Sequence, residues 1–253
     1  MTTETLDQAR ERLRPYVERA RAFTGWTAYV HNRPLGSPQP WDYMRRAREL
    51  MTAATSVLDM GTDGGERFGE LLQGYRGRAV ATEEWHVNVP IATQHLRPMS
   101  SALVWCQSLH LPFVDGAFDL VLNRHEELDP RDVTRVLLPG GRLLTEQVWR
   151  HWRELGRFIP RTTEFGDHFH TYQDGLRANG LRIADAREHE VPAAYDSLGD
   201  FVFMLCITPW TIPDFEPLGA DLDALLRLER ELTTPDGLVL SDGAYIIEAL
   251  KPA

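Results

Sequence analysis

Apolar residues recur every three or four positions at Leu6, Ala9, Leu13, Val17 and Ala20, the spacing that places one apolar stripe on a helix from Leu6 to Ala22. Pro15 falls inside that span and predicts a kink. The turn-rich RPLGSPQP ends at Pro40, a residue suited to a first helical turn, and Met44, Ala47, Leu50 and Met51 then mark one face of a second helix. From Ser56 the period changes. SVLDMG reads as a strand ending at Gly61, followed by a glycine turn and a helix whose stripe is Phe68, Leu71, Leu72 and Tyr75. RAVATEE, ALVWCQ, GAFDLVLNRH and GGRLLTEQVW read as four further strands, with helical patterns at NVPIATQHL and Asp132–Leu137 between them.

Strand alternating with helix at this interval predicts a doubly wound α/β fold with a mostly parallel sheet. Beyond Val148 the rhythm breaks. WRHWRELGRFIPRTTEFGDHFHT is dense in charged and aromatic residues and shows no strand, and helical spacing returns from Tyr172 to Asn179. LRIADAREHEV reads as a sixth strand, SLGDFVFMLCITPW fits either a buried helix or an inserted strand, leucines from 222 to 232 indicate a late helix, and AYIIEAL closes as a seventh strand. The expected organisation is a helical cap over 1–54 and a main domain over 55–253. That domain carries a substrate-covering insert at about 149–170 and an additional segment at about 193–240.

Composition narrows the function classes. A chain of 253 residues, 43% hydrophobic and 25% charged, is too apolar for disorder and long enough for a real core. No run approaches the roughly 20 apolar residues of a membrane span, and the polar first residues carry neither a signal core nor an anchor. Cys106 and Cys206 both lie in apolar runs and read as reduced core thiols, so a cytoplasmic protein is expected. The net charge of −10 repels nucleic acid and anionic membranes, which leaves a small molecule as the expected partner of a monomer or homodimer. Lys251 is the only lysine.

The chemistry begins at VLDMGTDGGERF. In an open α/β sheet the ligand crevice lies beyond the carboxyl ends of the strands, which puts Asp59, Gly61, Thr62, Asp63, Gly64 and Gly65 at its rim. Glycines there let the backbone turn sharply and approach a ligand, and the next helix offers free N–H groups to a carboxylate. Glu83 ends the second strand, where a carboxylate can accept both hydroxyls of a ribose. The GxGxxG of dinucleotide enzymes and the GxxxxGK[ST] of nucleotide hydrolases are both absent.

Together VLDMGTDGG, ATEEWHVNVPIA, HLPFVDGAFDLVLNRH and LLPGGRLLTEQV resemble class I S-adenosylmethionine-dependent methyltransferases, over roughly Ser56 to Val148. The resemblance implies that Asp59, Gly61, Thr62 and Gly65 cradle the methionine part of the cofactor. It implies also that Glu83 binds the ribose and that Glu84 and Trp85 flank ribose and adenine. Where that family carries an acid for the adenine amino group, this chain has Gln107, whose amide oxygen can accept, followed by Ser108. Asn123 completes the implied cofactor set.

Methyl transfer from a sulfonium needs alignment, exclusion of water and, for a hydroxyl or ammonium acceptor, removal of a proton. His125, just past the fourth strand, is the expected base, because histidine titrates near neutrality. Arg124 either binds an acceptor carboxylate or pairs with Glu126. Trp149, His168 and His170 are expected at the acceptor, with Trp210 and Phe215 on an opposite wall. His168 and His170 lack a third ligand at a defined spacing, so no metal is expected. The expected activity is transfer of a methyl group from S-adenosylmethionine to an oxygen or nitrogen of a small organic molecule. Its rivals are methylation of a nucleic acid base and a cofactor-binding protein without methyl transfer.

Overall fold

The computed structural model describes residues 4–24 and 32–253. Helix α1 (Leu6–Arg21) begins at a capping box in which Thr5 Oγ1 accepts from Gln8 N while Gln8 Oε1 accepts from Thr5 N. It continues through Pro15 and buries Ala9, Leu13 and Val17, whereas Leu6 stays exposed. The two-residue strand β1 (Arg33–Pro34) precedes α2 (Tyr43–Met51), capped by Asp42. Next come β2 (Ser56–Met60), α3 (Glu66–Leu71), β3 (Arg78–Glu83), α4 (Val89–Leu96), β4 (Ala102–Trp105), β5 (Phe118–Arg124), α5 (Pro130–Val136) and β6 (Leu137–Val148). The alternation is the one read from the sequence. After it come α6 (Leu155–Phe158), α7 (His168–Ala178), β7 (Arg182–Tyr195), α8 (Leu198–Ile207), α9 (Leu222–Leu232), β8 (Thr233–Thr234) and β9 (Gly237–Leu250).

The sheet runs β1-β7-β9-β6-β5-β2-β3-β4, with β8 paired to β9. Strands β2 to β6 pair in parallel, while β9 is antiparallel to both β6 and β7. The expected seven long strands are present. β1 and β8, of two residues each, bring the sheet to nine and are too short to leave a period in the sequence. Because β2 sits between β3 and β5, the chain leaves it in opposite directions, and the crevice opens at that switch point.

Helices cover both faces. Tyr43, Met51, Phe68, Leu71 and Leu96 pack on one side, and Val133, Val136, Phe169, Tyr172 and Leu176 on the other. A third core joins α1, α6, α8 and α9 through Leu13, Leu155, Phe201, Phe203 and Leu225. Thus α1 packs with the C-terminal helices and α2 with the sheet. Helix α8 is buried on nearly every side, which explains why periodicity could not separate helix from strand in this stretch. At the opposite end of the molecule from the crevice, Lys251 follows β9 and donates Nζ hydrogen bonds to the carbonyls of Thr134 and Leu137 at the end of α5. Among the described residues no helix is long and apolar enough to cross a membrane.

Candidate functional site

The carboxyl ends of β2 and β3 bring an unusual set of carboxyls together. The backbone of the turn is left-handed at Gly61 (φ 64°), Asp63 (φ 54°) and Gly65 (φ 83°). A Cβ at Gly61 would come within 2.5 Å of the Glu126 side chain, so glycine is required there by both conformation and space. Helix α3 is only six residues long, so the turn itself, rather than a helix dipole, supplies the polar backbone. Glu83 is buried, with Oε2 accepting from Asp63 N (2.8 Å) and Oε1 from Trp85 N (2.9 Å). Two backbone amides thus fix the carboxylate, and each oxygen keeps a lone pair for a ligand.

Burial pushes Asp59 up to about 7, with Glu83 adding repulsion and Thr62 opposing the shift. Burial, then the charges of Glu83, Glu126 and Asp59, raise Asp63 to about 8. Glu83 is pushed up to about 7, again chiefly by burial. Glu126 is raised for the same reason. Four carboxyls sharing one crevice in this way favour a ligand that carries positive charge.

The same crevice holds buried polar atoms whose nearest partners are its own carboxyls and the Asn123 backbone. Thr62 Oγ1, both amide atoms of Asn88, Ser108 Oγ and the Tyr43 hydroxyl are buried and make no hydrogen bond of normal geometry. Thr62 lies beside Asp59, Asn88 beside Glu83, Ser108 beside Glu126, and Tyr43 within the fields of Asp59 and Glu146. Buried groups of this kind are costly unless something satisfies them. Around them, Glu84 Oε2 accepts from Ser108 N (3.2 Å), Trp85 is 38% exposed, and Gln107 is exposed.

Other expected residues fall elsewhere. Asn123 is fully buried, its Oδ1 accepting from Thr145 Oγ1 (2.6 Å) and Gln147 Nε2 (2.5 Å) while its Nδ2 donates to the Glu126 carbonyl. It braces the floor beside Glu126. Arg124 pairs with Glu146 (2.9 Å) rather than Glu126. Trp149 is a core residue, packed at 5.9 Å from the Tyr245 ring and 6.0 Å from that of Phe169. His168 sits on α7 with its ring edge-on to Tyr172. His170 is exposed and bound to the capping carboxylate Asp167 at 2.7 Å, which gives it a local role in the helix start. Among the described residues no group of three or more His, Cys, Asp or Glu side chains is arranged to hold a metal ion. Phe215 lines a separate groove of about 550 Å³ between α1 and α8, together with Arg21, Asp214 and Glu216.

His125 stands at the end of β5 with φ 61°, its N–H donating to the Glu146 carbonyl at 2.8 Å. The side chain is exposed. Desolvation, followed by the charges of Arg124 and His151, lowers its pKa below the usual value. Sequence reasoning missed Glu146, and it placed His151 among the histidines of the aromatic insert, behind His125 as the base, without its partner Asp242. Glu146 is buried and accepts from Arg124, Gln39 and Trp41, which ties the segment before α2 to the sheet. His151 Nδ1 lies 2.8 Å from Asp242 Oδ1, and Asp242 Oδ2 accepts from Asn32 Nδ2 at 2.6 Å. Neither group has a local sequence signal, because the partners are 91 to 210 positions apart for His151, Asp242 and Asn32.

No family model and no curated protein matches the sequence. Solved structures do match the fold. The [4+2]-cyclase SpnF aligns over 100% of this chain and 99% of its own at 18% identity, with a TM-score of 0.57. A functionally unknown protein from Deinococcus radiodurans R1 aligns over 95% and 99% at 14% identity, with a TM-score of 0.61. Geranyl diphosphate C-methyltransferase from Streptomyces coelicolor A3(2), solved with Mg2+, geranyl diphosphate and S-adenosyl-L-homocysteine, aligns over 96% and 98% at 15% identity, with a TM-score of 0.51. The chain therefore has the Rossmann-like, doubly wound fold shared by class I S-adenosylmethionine-dependent methyltransferases and their structural relatives.

Proposed function

We propose that this chain binds S-adenosylmethionine in the crevice and transfers its methyl group to an oxygen or nitrogen of a small organic molecule. The observation that carries the reading is the meeting of Asp59, Asp63 and Glu83 with the buried polar atoms of Tyr43, Thr62, Asn88 and Ser108, none of which makes a hydrogen bond of normal geometry, around one glycine turn. The residues fit the group: an ammonium and a sulfonium suit raised carboxyls, and hydroxyls and a carboxylate suit orphaned donors and acceptors. When bound, S-adenosylmethionine supplies an electrophilic methyl group.

In this reading Glu83, held by two backbone amides, takes the ribose hydroxyls, and Asp59 and Asp63 face the cationic amino acid end. Gly61, Thr62 and Gly65 shape the turn, Trp85 and Glu84 border the nucleoside, and Gln107 accepts from the adenine amino group. His125 stands at the acceptor end. The acidic crevice and the net charge of −10 both disfavour a nucleic acid acceptor. The fold it shares with a [4+2]-cyclase favours one second reading, in which the same crevice supports a reaction other than methyl transfer.

Calorimetry with S-adenosylmethionine tests binding. Glu83→Ala should weaken it roughly ten-fold or more, the loss of about 1.5–3 kcal/mol for a charge-assisted hydrogen bond, with circular dichroism unchanged. Undiminished affinity removes Glu83 from the ribose role, and no binding by the wild type removes the cofactor. Mass spectrometry of a metabolite extract incubated with protein and cofactor then separates the readings: a compound gaining a methyl group supports transfer, and binding without one supports the second.

A further inference from the structure

We propose that His151, oriented by Asp242, is the group that takes the acceptor's proton, with His125 positioning the acceptor beside it. The proposal rests on the methyl-transfer reading and names the base within it. β5 and β6 are adjacent and parallel, and His125 and His151 lie just beyond their carboxyl ends, near enough for the charge of His151 to act on His125. Both therefore stand at the acceptor end of the crevice.

Of the two, only His151 has a carboxylate partner. Asp242 contacts Nδ1 at 2.8 Å and is itself held by Asn32, so a neutral His151 that donates from Nδ1 presents its Nε2 lone pair. The Trp152 ring, with its centroid 4.0 Å away and tilted by 37°, fixes the imidazole plane. The backbone is left-handed on both sides, at Arg150 (φ 49°) and Trp152 (φ 52°). Of six non-glycine residues with positive φ among the described residues, four (Asp63, His125, Arg150 and Trp152) stand at the carboxyl ends of the parallel strands. Such backbone is retained where the surroundings enforce a geometry, and here it sets His151.

The energetics point the same way. Burial pushes Asp242 upward, but the hydrogen bond and charge of His151, with Asn32, leave it below its ordinary value and so ionised. His151 faces the Asp242 carboxylate, whereas His125 lies beside the positive charge of Arg124. In the reaction the acceptor oxygen or nitrogen forms a bond to the methyl carbon as the carbon–sulfur bond breaks. Sulfur keeps that electron pair, and the acceptor's O–H or N–H proton passes to His151 Nε2. The products are the methylated acceptor, a neutral thioether and an imidazolium, which returns its proton to solvent.

Nitrogen-15 histidine NMR on the full chain, titrated through neutrality without acceptor, reads the dyad directly. The neutral His151 should be the Nδ1–H tautomer, and Asp242→Asn, which removes the carboxylate facing Nδ1, should shift the tautomer ratio toward Nε2–H. An Nε2–H tautomer in the wild type, or a tautomer ratio that Asp242→Asn leaves unmoved, overturns the proposal. Once an acceptor is identified, single-turnover rates provide the second arm. His151→Gln should slow saturated transfer by roughly 10²-fold or more, while His125→Gln should chiefly raise the acceptor KM. A normal saturated rate in His151→Gln overturns the proposal even where the wild type methylates, whereas a wild type that does not bind S-adenosylmethionine in calorimetry fails the methyl-transfer reading instead.

Discussion

Asp59, Asp63 and Glu83 show how a few side chains couple ligand binding to pH. Each binds its proton more tightly in the folded protein than an unfolded chain would, at about 7, 8 and 7 respectively. Their contribution to stability is therefore present at low pH and lost as pH rises from about 4 to 8. Thermal melts of the ligand-free protein should show Asp63→Asn flattening this decline and raising the melting temperature near pH 8 relative to wild type. A parallel pH dependence in the two proteins refutes the assignment. Added S-adenosylmethionine should counter the wild-type decline, since a cation removes the cost of ionising these groups. Asp59 and Glu83 were legible in sequence because strand ends announce themselves. Asn88 and Tyr43 were not, because nothing near them in the chain marks an unsatisfied amide or hydroxyl.

Strands and helices were legible in proportion to their length and one-sidedness. The long parallel strands declared themselves, as did α1, with its buried Ala9, Leu13 and Val17. Several aromatics of the insert serve the interior: Trp152, Leu155 and Phe158 join the core of α1 and α8, and Trp149 joins that beneath the sheet. The join between β6 and β9 depends on a residue with no side chain. Gly243 accepts from Trp149 N at 2.7 Å, and a Cβ there would strike the Trp149 carbonyl. Gly243→Ala should therefore cost about 1–3 kcal/mol through overpacking, lowering the melting temperature by about 2–4 °C for each kcal/mol. An unchanged melt would mean that β6 can shift without penalty.

At the scale of the molecule, the segment from Asn32 to Trp41 crosses the sheet near the carboxyl ends of β7 and β6 and over the amino-terminal half of β9. It is tied by Asn32 to Asp242, by Leu35 N to the Pro192 carbonyl, by the Ser37 carbonyl to His189, and by Gln39 and Trp41 to Glu146. It then delivers Tyr43 to the crevice. Hydrogen exchange should show residues 32–43 gaining protection when S-adenosylmethionine binds, while 149–158, already packed in a core, exchange slowly in both states. Protection gained only within 149–170 would return the covering role to the insert.

The same polarity of the sheet has a practical consequence for handling the protein. Its only lysine closes the far end of the molecule, since β9 runs antiparallel to its neighbours and finishes where β6 begins. An amine-reactive tether placed on Lys251 would hold the protein by its back, with the crevice turned toward solvent and free to sample ligand.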